Sequence, residues 1–188
     1  MRITDHRYNG ERQRFDLAMR MIRLEARTGS IRSFTGFSED RIRKIYGSYF
    51  KHNGDNTVKR RRGKSPTQIS VFLASATCQF EATILTCVMV MCRTMKPDTN
   101  GVFSRVTDID DVVLGQRVCE AFERYNLLYP DARFSFERAL GLYKALTQMQ
   151  ELYLSHCELC CGSYLQDRYA LNYHVCPCCE IKNYGTRQ

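Results

Sequence analysis

Several short motifs of common enzyme classes are missing from this 188-residue sequence. It contains no phosphate-binding loop, no dinucleotide-binding glycine fingerprint and no nucleophile elbow. Histidine is also scarce, and the four present lie outside the predicted helical core: His6, His52, His156 and His174. Because no catalytic constellation can be assembled from these residues, we expect a protein that is not an enzyme.

Internal repeats and low-complexity segments are absent as well. Hydrophobic residues make up 44% of the chain and charged residues 26%, as in ordinary globular proteins. This composition excludes a disordered chain, a collagen-like chain and a coiled-coil rod. The residues 1–7 are polar and include no apolar run, so we expect no signal peptide.

One segment has very little charge. Residues 71–92 contain a single charged side chain, Glu81, and are numerous enough to span a bilayer. Glu81 and Gln79 lie near the middle of the segment, however, where a carboxylate is costly in lipid. We therefore predict a buried core helix, no membrane association, and a cytoplasmic protein with reduced thiols.

Positive charge is concentrated in the first third of the chain. Residues 1–68 carry 17 Lys and Arg against 7 Asp and Glu, a net charge of +10, whereas residues 69–188 carry 11 against 13, a net charge of −2. Such a segregated basic region is typical of a protein that binds a polyanion. A solvated, arginine-rich surface is the alternative, and charge alone does not separate nucleic acid from a membrane or an acidic protein.

Periodic apolar residues predict a mainly α-helical fold. The predicted helices cover residues 12–27, 38–50, 67–95, 108–128 and 134–154, and polar connections cover 51–66 and 98–107. The few prolines fall close to several of these boundaries: Pro66, Pro97, Pro130 and Pro177.

The spacing around Gly36 predicts a helix-turn-helix. Such a unit needs glycine in its turn and apolar residues at set offsets, here Ile31, Phe37, Ile42 and Ile45. Ser38 is the expected N-cap of the second helix, whose outer face would present basic residues to DNA. The candidate DNA contacts of this unit are Arg32, Ser38, Arg41, Arg43 and Lys44. An ordinary pair of helices with solvated charges is the alternative.

A second basic element is the arm formed by residues 59–64. Its side chains are suited to DNA phosphates or to the minor groove. The candidate contacts are Lys59, Arg60, Arg61, Arg62 and Lys64. A solvated loop without a ligand is equally consistent with the arm taken alone.

Two C-x-x-C pairs near the end of the chain predict a metal site. Cys157 and Cys160 are separated from Cys176 and Cys179 by fifteen residues, and four thiolates complete the tetrahedron that Zn²⁺ prefers. Residues 163–175 between the pairs have β-hairpin composition. We predict one structural zinc ion in a small C-terminal zinc ribbon. An iron–sulfur cluster is the alternative, and Cys161 and Cys178 are left over.

The predicted organisation has three parts. Residues 1–66 form a basic helical region with the helix-turn-helix and the arm, and residues 67–155 form a helical core and partner interface. Residues 156–188 form the zinc ribbon.

Several motifs together resemble the FlhC family, the C subunit of the bacterial flagellar master transcription activator. The N-terminal resemblance lies in residues 17–27, 36–38 and 41–46, and the C-terminal one in residues 154–164 and 176–179. Residues 125–146 are similar more loosely. The arm at 59–64 departs from the family pattern because it is more basic than expected.

This resemblance implies a helical protein whose zinc ligands are Cys157, Cys160, Cys176 and Cys179. It further implies a heterohexamer with a FlhD-like D subunit that binds double-stranded promoter DNA and activates transcription with RNA polymerase. Relatives on conjugative elements control transfer genes, so the targets are expected to be flagellar or conjugative-transfer genes. The alternatives are a zinc-stabilised scaffold whose partner reads the DNA, and an iron–sulfur redox-sensing regulator.

Overall fold

The chain is mainly helical. A computed structural model describes residues 3–51, 58–61, 63, 68–171 and 174–185. The α-helices in these ranges are α1 (Ile3–Arg23), α2 (Thr28–Thr35), α3 (Glu39–Tyr46), α4 (Ala76–Met91), α5 (Asp111–Leu128), α6 (Phe136–Lys144) and α7 (Pro177–Gly185). A π-helical turn follows α3 at Gly47–Lys51, another follows α6 at Ala145–Met149, and a 3₁₀ turn precedes α4 at Ser70–Leu73.

Two antiparallel hairpins connect the helices. Strand β1 (Met95–Pro97) pairs with β2 (Phe103–Arg105), and β3 (Leu152–His156) pairs with β4 (Ser163–Asp167). The predicted polar connection at 98–107 is thus largely the turn and second strand of the first hairpin. Gly101 in that turn has φ +75°, and a Cβ there would overlap the backbone oxygen of Leu154, so the position requires glycine.

A single apolar core joins α1–α6 and both hairpins. Fully buried side chains come from the whole length of this region, and they include Leu17, Met21, Ile31, Leu85, Met89, Phe103, Leu114, Val118, Leu142, Leu152 and Leu165. Each large apolar side chain buried in this way contributes roughly 1.5–3 kcal/mol to folding. Residues of the predicted first and second parts therefore pack into a common core, and the boundaries at 66 and 155 stay predictions.

The long helix predicted for residues 67–95 is shorter in the structure. The side chain of Ser75 accepts a hydrogen bond from the backbone N–H of Cys78 at 3.2 Å, which caps α4 and sets its first residue at Ala76. At the other end, Arg93 adopts φ 55° and the chain turns into β1. The cap at Ser75 and the left-handed conformation of Arg93 thus set the ends of α4, although the apolar residues extend beyond both ends.

The helix predicted for residues 134–154 also ends early. Helix α6 stops at Lys144, the π-helical turn follows, and Gln150 adopts φ 53° before β3 begins at Leu152. The prediction of helix through residue 154 was wrong because pairing between β3 and β4 decides the conformation of the last residues. Apolar spacing alone does not reveal such pairing.

Glu81 lies fully buried in α4. Its Oε1 accepts a hydrogen bond from the hydroxyl of Tyr125 on α5 and another from the backbone N–H of Arg133 at 2.6 Å. Helix α4 accordingly packs within the core, as predicted. None of the described helices combines the length and apolar character needed to cross a membrane.

Candidate metal centre and basic surface

The two C-x-x-C pairs meet in space. The Sγ atoms of Cys157, Cys160, Cys176 and Cys179 all lie within 4.8 Å of one another, and those of Cys160 and Cys176 are 3.6 Å apart. Four thiolates around one zinc ion, each at ~2.3 Å, would lie about 3.8 Å apart. All ten cysteines are described and none is in a disulfide. The cluster could therefore hold one metal ion, and the identity of that metal stays a prediction.

The first pair sits in the turn of the β3–β4 hairpin. Cys157 follows the last residue of β3, and its N–H donates to the carbonyl of Gly162 at 3.0 Å. Cys161 adopts φ 57°, and its N–H donates to the carbonyl of Cys157 at 2.9 Å. The hairpin predicted at 163–175 therefore lies at 152–167, where it flanks the first pair instead of joining the two. The apolar content of 163–175 did not reveal that the partner strand precedes Cys157.

The second pair opens a helix that the sequence analysis missed. Helix α7 begins at Pro177, whose fixed φ and missing N–H suit the first helical position. The N–H of Cys179 donates to Sγ of Cys176 at 3.4 Å, and the N–H of Glu180 donates to the carbonyl of Cys176 at 2.9 Å. Sγ of Cys176 thus lies at a helix N-terminus, which favours negative charge, but burial outweighs this effect and raises the pKa of the thiol. The proline directly after Cys176 was the available signal.

The thiols of the cluster have unequal proton affinities. Burial raises the pKa of Cys157, but hydrogen bonds from the backbone N–H groups of Cys176, Cys160 and Leu159 outweigh it and lower the pKa to about 6. Hydrogen bonds with Cys160 and Cys176 raise the pKa of Cys179 to about 12. The thiolate form of Cys157 is therefore favoured even without a cation. A bound metal ion would be needed to keep all four cysteines deprotonated.

The leftover residues lie around the centre but outside the cluster. Cys161 and Cys178 do not belong to it. His156 contacts Ser163, with Nε2 and Oγ 3.3 Å apart, and Nδ1 of His174 lies 2.6 Å from a carboxylate oxygen of Glu158. The four predicted ligands are thus the four residues that the fold brings together.

Helices α2 and α3 are joined by the turn predicted around Gly36. Gly36 has φ 71°, and its N–H donates to the carbonyl of Arg32 at 2.9 Å. Ser38 caps α3, because its Oγ accepts the N–H of Arg41 at 3.3 Å. The predicted apolar residues are buried: Ile31, Phe37, Ile42 and Ile45. The cap and the packing are confirmed, and recognition of DNA by this pair stays a prediction.

Two arginines on the outer face of α3 already have internal partners. Arg41 forms an ion pair with Glu11 of α1, and its guanidinium lies 3.9 Å from the ring centroid of Phe37. Arg43 binds Asp40 at 2.9 Å and Glu39 at 3.1 Å. Glu11 was missed in the sequence because only the packing of α1 against α3 brings it there.

Two other candidate contacts in these helices are exposed cations. Lys44 on α3 and Arg32 on α2 make no ion pair within the described ranges. They are therefore the charges of the α2–α3 pair that are most available to an external anion.

The described part of the arm packs against the protein. The hydroxyl of Tyr46 donates to the carbonyl of Val58 at 3.0 Å, which places the arm beside α3. Glu25, which follows α1 with φ 58°, accepts the N–H of Lys59 at 3.3 Å and Nε of Arg61 at 2.7 Å. The sequence analysis did not identify Glu25 as the residue that anchors the arm through these two hydrogen bonds. The predicted contacts Arg62 and Lys64 lie outside the described residues.

The chain matches no protein-family model and no curated protein. The resemblance to the FlhC family, carried by the motifs at residues 17–46 and 154–179, therefore stays a prediction.

Proposed function

We propose that this chain is the DNA-binding subunit of a transcription activator and that it holds one structural zinc ion. The observation that carries the proposal is the convergence of two basic elements. Helix α3 and the arm are separated in the sequence, yet Tyr46 of α3 binds Val58, the residue directly before the arm. Arg43 of α3 and Arg60 and Arg61 of the arm line one cleft, so basic residues of both elements share a surface that is suited to a polyanion.

Within this proposal, α2 and α3 act as a helix-turn-helix. Arg41 from the first half of α3 and Lys44 from its last turn would approach base edges, while Lys59 and Arg60 would bind phosphates. Stacking on Phe37 orients the guanidinium of Arg41, and DNA would replace Glu11 as its ionic partner. This exchange of partners costs little because exposed ion pairs are worth only about 0–1 kcal/mol.

The proposed role of zinc is structural. Four cysteine ligands would complete its coordination and leave no open position for a substrate. The ion would tie the β3–β4 turn, which carries Cys157 and Cys160, to the start of α7, which carries Cys176 and Cys179. The metal would therefore stabilise the C-terminal lobe of the DNA-binding subunit.

By resemblance, the proposed complex contains a FlhD-like subunit in a heterohexamer and acts with RNA polymerase at flagellar or conjugative-transfer promoters. An apolar surface supports a protein partner of some kind. Met91 of α4 and Leu127 and Leu128 of α5 are 76%, 82% and 66% exposed, and they line one groove. Exposed apolar groups clustered in this way commonly mark a protein interface.

The decisive experiment is a DNA-binding titration over a range of salt concentrations, with the chain alone and with a FlhD-like partner. The probe is DNA from upstream of the neighbouring operons, and the variant is Arg41→Glu/Lys44→Glu. We expect sequence-specific binding with a steep salt dependence, and a loss of about a hundredfold in the variant. A matched control, Lys96→Glu/Arg168→Glu, reverses two exposed charges outside the basic surface.

The internal pairing of Arg41 and Arg43 favours a second candidate, a zinc-stabilised scaffold whose partner reads the DNA. In that case the Arg41→Glu/Lys44→Glu variant would assemble and bind DNA as the wild type does. An iron–sulfur regulator is the remaining alternative for the four thiols. It would give visible absorbance and oxygen sensitivity, whereas a zinc protein is colourless.

A further inference from the structure

A cleft of about 590 Å³ opens between the N-terminus of α2, helix α3 and the described arm residues Arg60, Arg61 and Gly63. Its volume falls within the range of about 300–1,000 Å³ that is usual for small-molecule sites. Among the described residues, its charged lining is one carboxylate, Glu39, and four arginines: Arg27, Arg43, Arg60 and Arg61. The cleft is therefore strongly enriched in guanidinium groups.

Two of these arginines are balanced by carboxylates and two are not. Arg43 binds Glu39 and Asp40, and Arg61 binds Glu25. Arg27 and Arg60 have no carboxylate partner in the described part of the chain, and Nη2 of Arg60 donates a long hydrogen bond of 3.5 Å to Oγ1 of Thr28. Two positive charges thus remain for an external anion.

The guanidinium of Arg27 also has one N–H group without a described hydrogen-bond acceptor. Its Nε is buried and has no hydrogen-bond partner among the described residues. Buried donors in folded proteins almost always find a protein group, a water molecule or a ligand. This Nε atom is closed off from the cleft, so it shows only that no described acceptor holds the Arg27 guanidinium in place.

The N-terminus of α2 adds backbone donors to the same cleft. Arg27 occupies the N-cap position without a side-chain cap, and the first two helical residues, Thr28 and Gly29, line the cleft. On the core side, Glu137 of α6 accepts the N–H of Arg27 at 2.7 Å and the hydroxyl of Ser30 at 3.1 Å. No described residue accepts the N–H of Thr28 or Gly29, and these two groups, together with the helix dipole, favour a phosphate.

We propose that this arginine cleft binds a phosphate group through Arg27, Arg60 and the first turn of α2. Guanidinium groups and helix N-termini both prefer phosphate oxygens, since each offers several N–H donors to one anion. A small phosphorylated compound and the DNA backbone supply the same chemistry and are the two sources to distinguish. The inference does not require that α3 read bases.

The test uses the full chain with its metal, inorganic pyrophosphate as the probe, and calorimetry as the measurement. Wild type is compared with Arg27→Gln/Arg60→Gln and with the control Lys96→Gln/Arg168→Gln, which removes the same charge from exposed positions outside the cleft. We expect the Kd for pyrophosphate to rise about tenfold or more in the cleft variant and to be unchanged in the control. Absence of wild-type binding, or equal loss in both variants, overturns the inference.

Circular dichroism checks that the cleft variant folds. If it does not, Arg60→Gln alone takes its place, because Arg60 is exposed and its loss disturbs only the contact with Thr28. The single variant should still weaken pyrophosphate binding severalfold. An unchanged Kd in a folded Arg60→Gln protein counts against the cleft.

A short DNA duplex then separates the two sources. Displacement of pyrophosphate by the duplex identifies the ligand as a backbone phosphate, whereas simultaneous binding identifies a small phosphorylated compound. Pyrophosphate binding without any DNA binding would overturn the proposed function and leave this inference intact. If the protein binds DNA equally well with and without Arg27→Gln/Arg60→Gln and does not bind pyrophosphate, the cleft inference is overturned and the proposed function is left intact.

Discussion

Thr83 on α4 binds Leu165 on β4: its Oγ1 accepts the N–H of Leu165 at 3.0 Å. One turn earlier on α4, Nε2 of Gln79 donates to the carbonyl of Leu165 at 2.7 Å. Leu165 is fully buried, and side chains of α4 thus provide hydrogen-bond partners for both its N–H and its carbonyl. This pair of bonds closes the free edge of β4 and attaches the hairpin of the metal centre to the helical core.

We predict that Thr83→Val lowers the free energy of unfolding by about 1–3 kcal/mol, because the N–H of Leu165 would stay buried without an acceptor. Urea denaturation of the metal-loaded protein measures the change. Thr77→Val is the matched control on the same helix, since no hydrogen bond of the Thr77 hydroxyl joins it to the described strands. Equal stability of the two variants would show that the bond contributes nothing.

The buried contact between Tyr125 and Glu81 leads to a second prediction. Burial, and next the hydrogen bond to Glu81, raise the pKa of Tyr125, so its hydroxyl stays protonated and donates to the carboxyl group. Oε2 of Glu81 has no partner among the described residues. Tyr125→Phe would therefore leave the carboxyl group with the N–H of Arg133 as its remaining described donor.

We expect Tyr125→Phe to lower the free energy of unfolding by about 1–3 kcal/mol, measured by chemical denaturation. Tyr129→Phe removes the same hydroxyl from a half-buried position nearby and should have less than half this effect. A Tyr125→Phe protein as stable as the wild type would mean that water replaces the hydroxyl at no cost.

The cysteine cluster supports a third prediction. Cys160→Ser should abolish stoichiometric metal binding and lower the melting temperature of the C-terminal lobe, because metal binding is coupled to folding. Cys161→Ser alters the adjacent exposed thiol, which lies outside the cluster, and should keep one metal ion per chain. Elemental analysis and thermal denaturation measure both effects. Retention of the ion in Cys160→Ser, with an unchanged melting curve, would contradict the assignment of Cys160 as a ligand.

The anchor of the arm gives a fourth prediction. Glu25→Gln removes the ion pair with Arg61, in which the carboxylate side chain is 27% exposed and the guanidinium side chain 52% exposed. Since such a pair is worth at most about 1 kcal/mol, trypsin cleavage within residues 59–61 should accelerate up to about fivefold. Digestion followed by mass spectrometry measures this rate. Glu180→Gln, an exposed change on α7, is the control, and equal rates in the two variants would exclude an anchoring role.

Features encoded by neighbouring residues were predictable. Ser38 was identified as an N-cap and Gly36 as the turn between two helices, because each depends on the backbone conformation of a few residues. The four metal-ligand candidates followed from two C-x-x-C pairs, since that spacing presents two thiols to one point. The last turns of α6 and the position of the second hairpin were not predictable, because a strand depends on its partner.

By itself, the sequence determined the helical class, the segregation of basic charge into residues 1–68 and the four thiols that meet. Only the tertiary structure decided which charges remain free. Glu11 reaches Arg41 across 30 residues of sequence, and Glu25 reaches Arg61 across 36. Ion pairs of this kind form between side chains that distant helices bring within a few ångströms. Local sequence patterns carry no information about that distance, so only the folded chain shows which cleft arginines lack a carboxylate partner among the described residues.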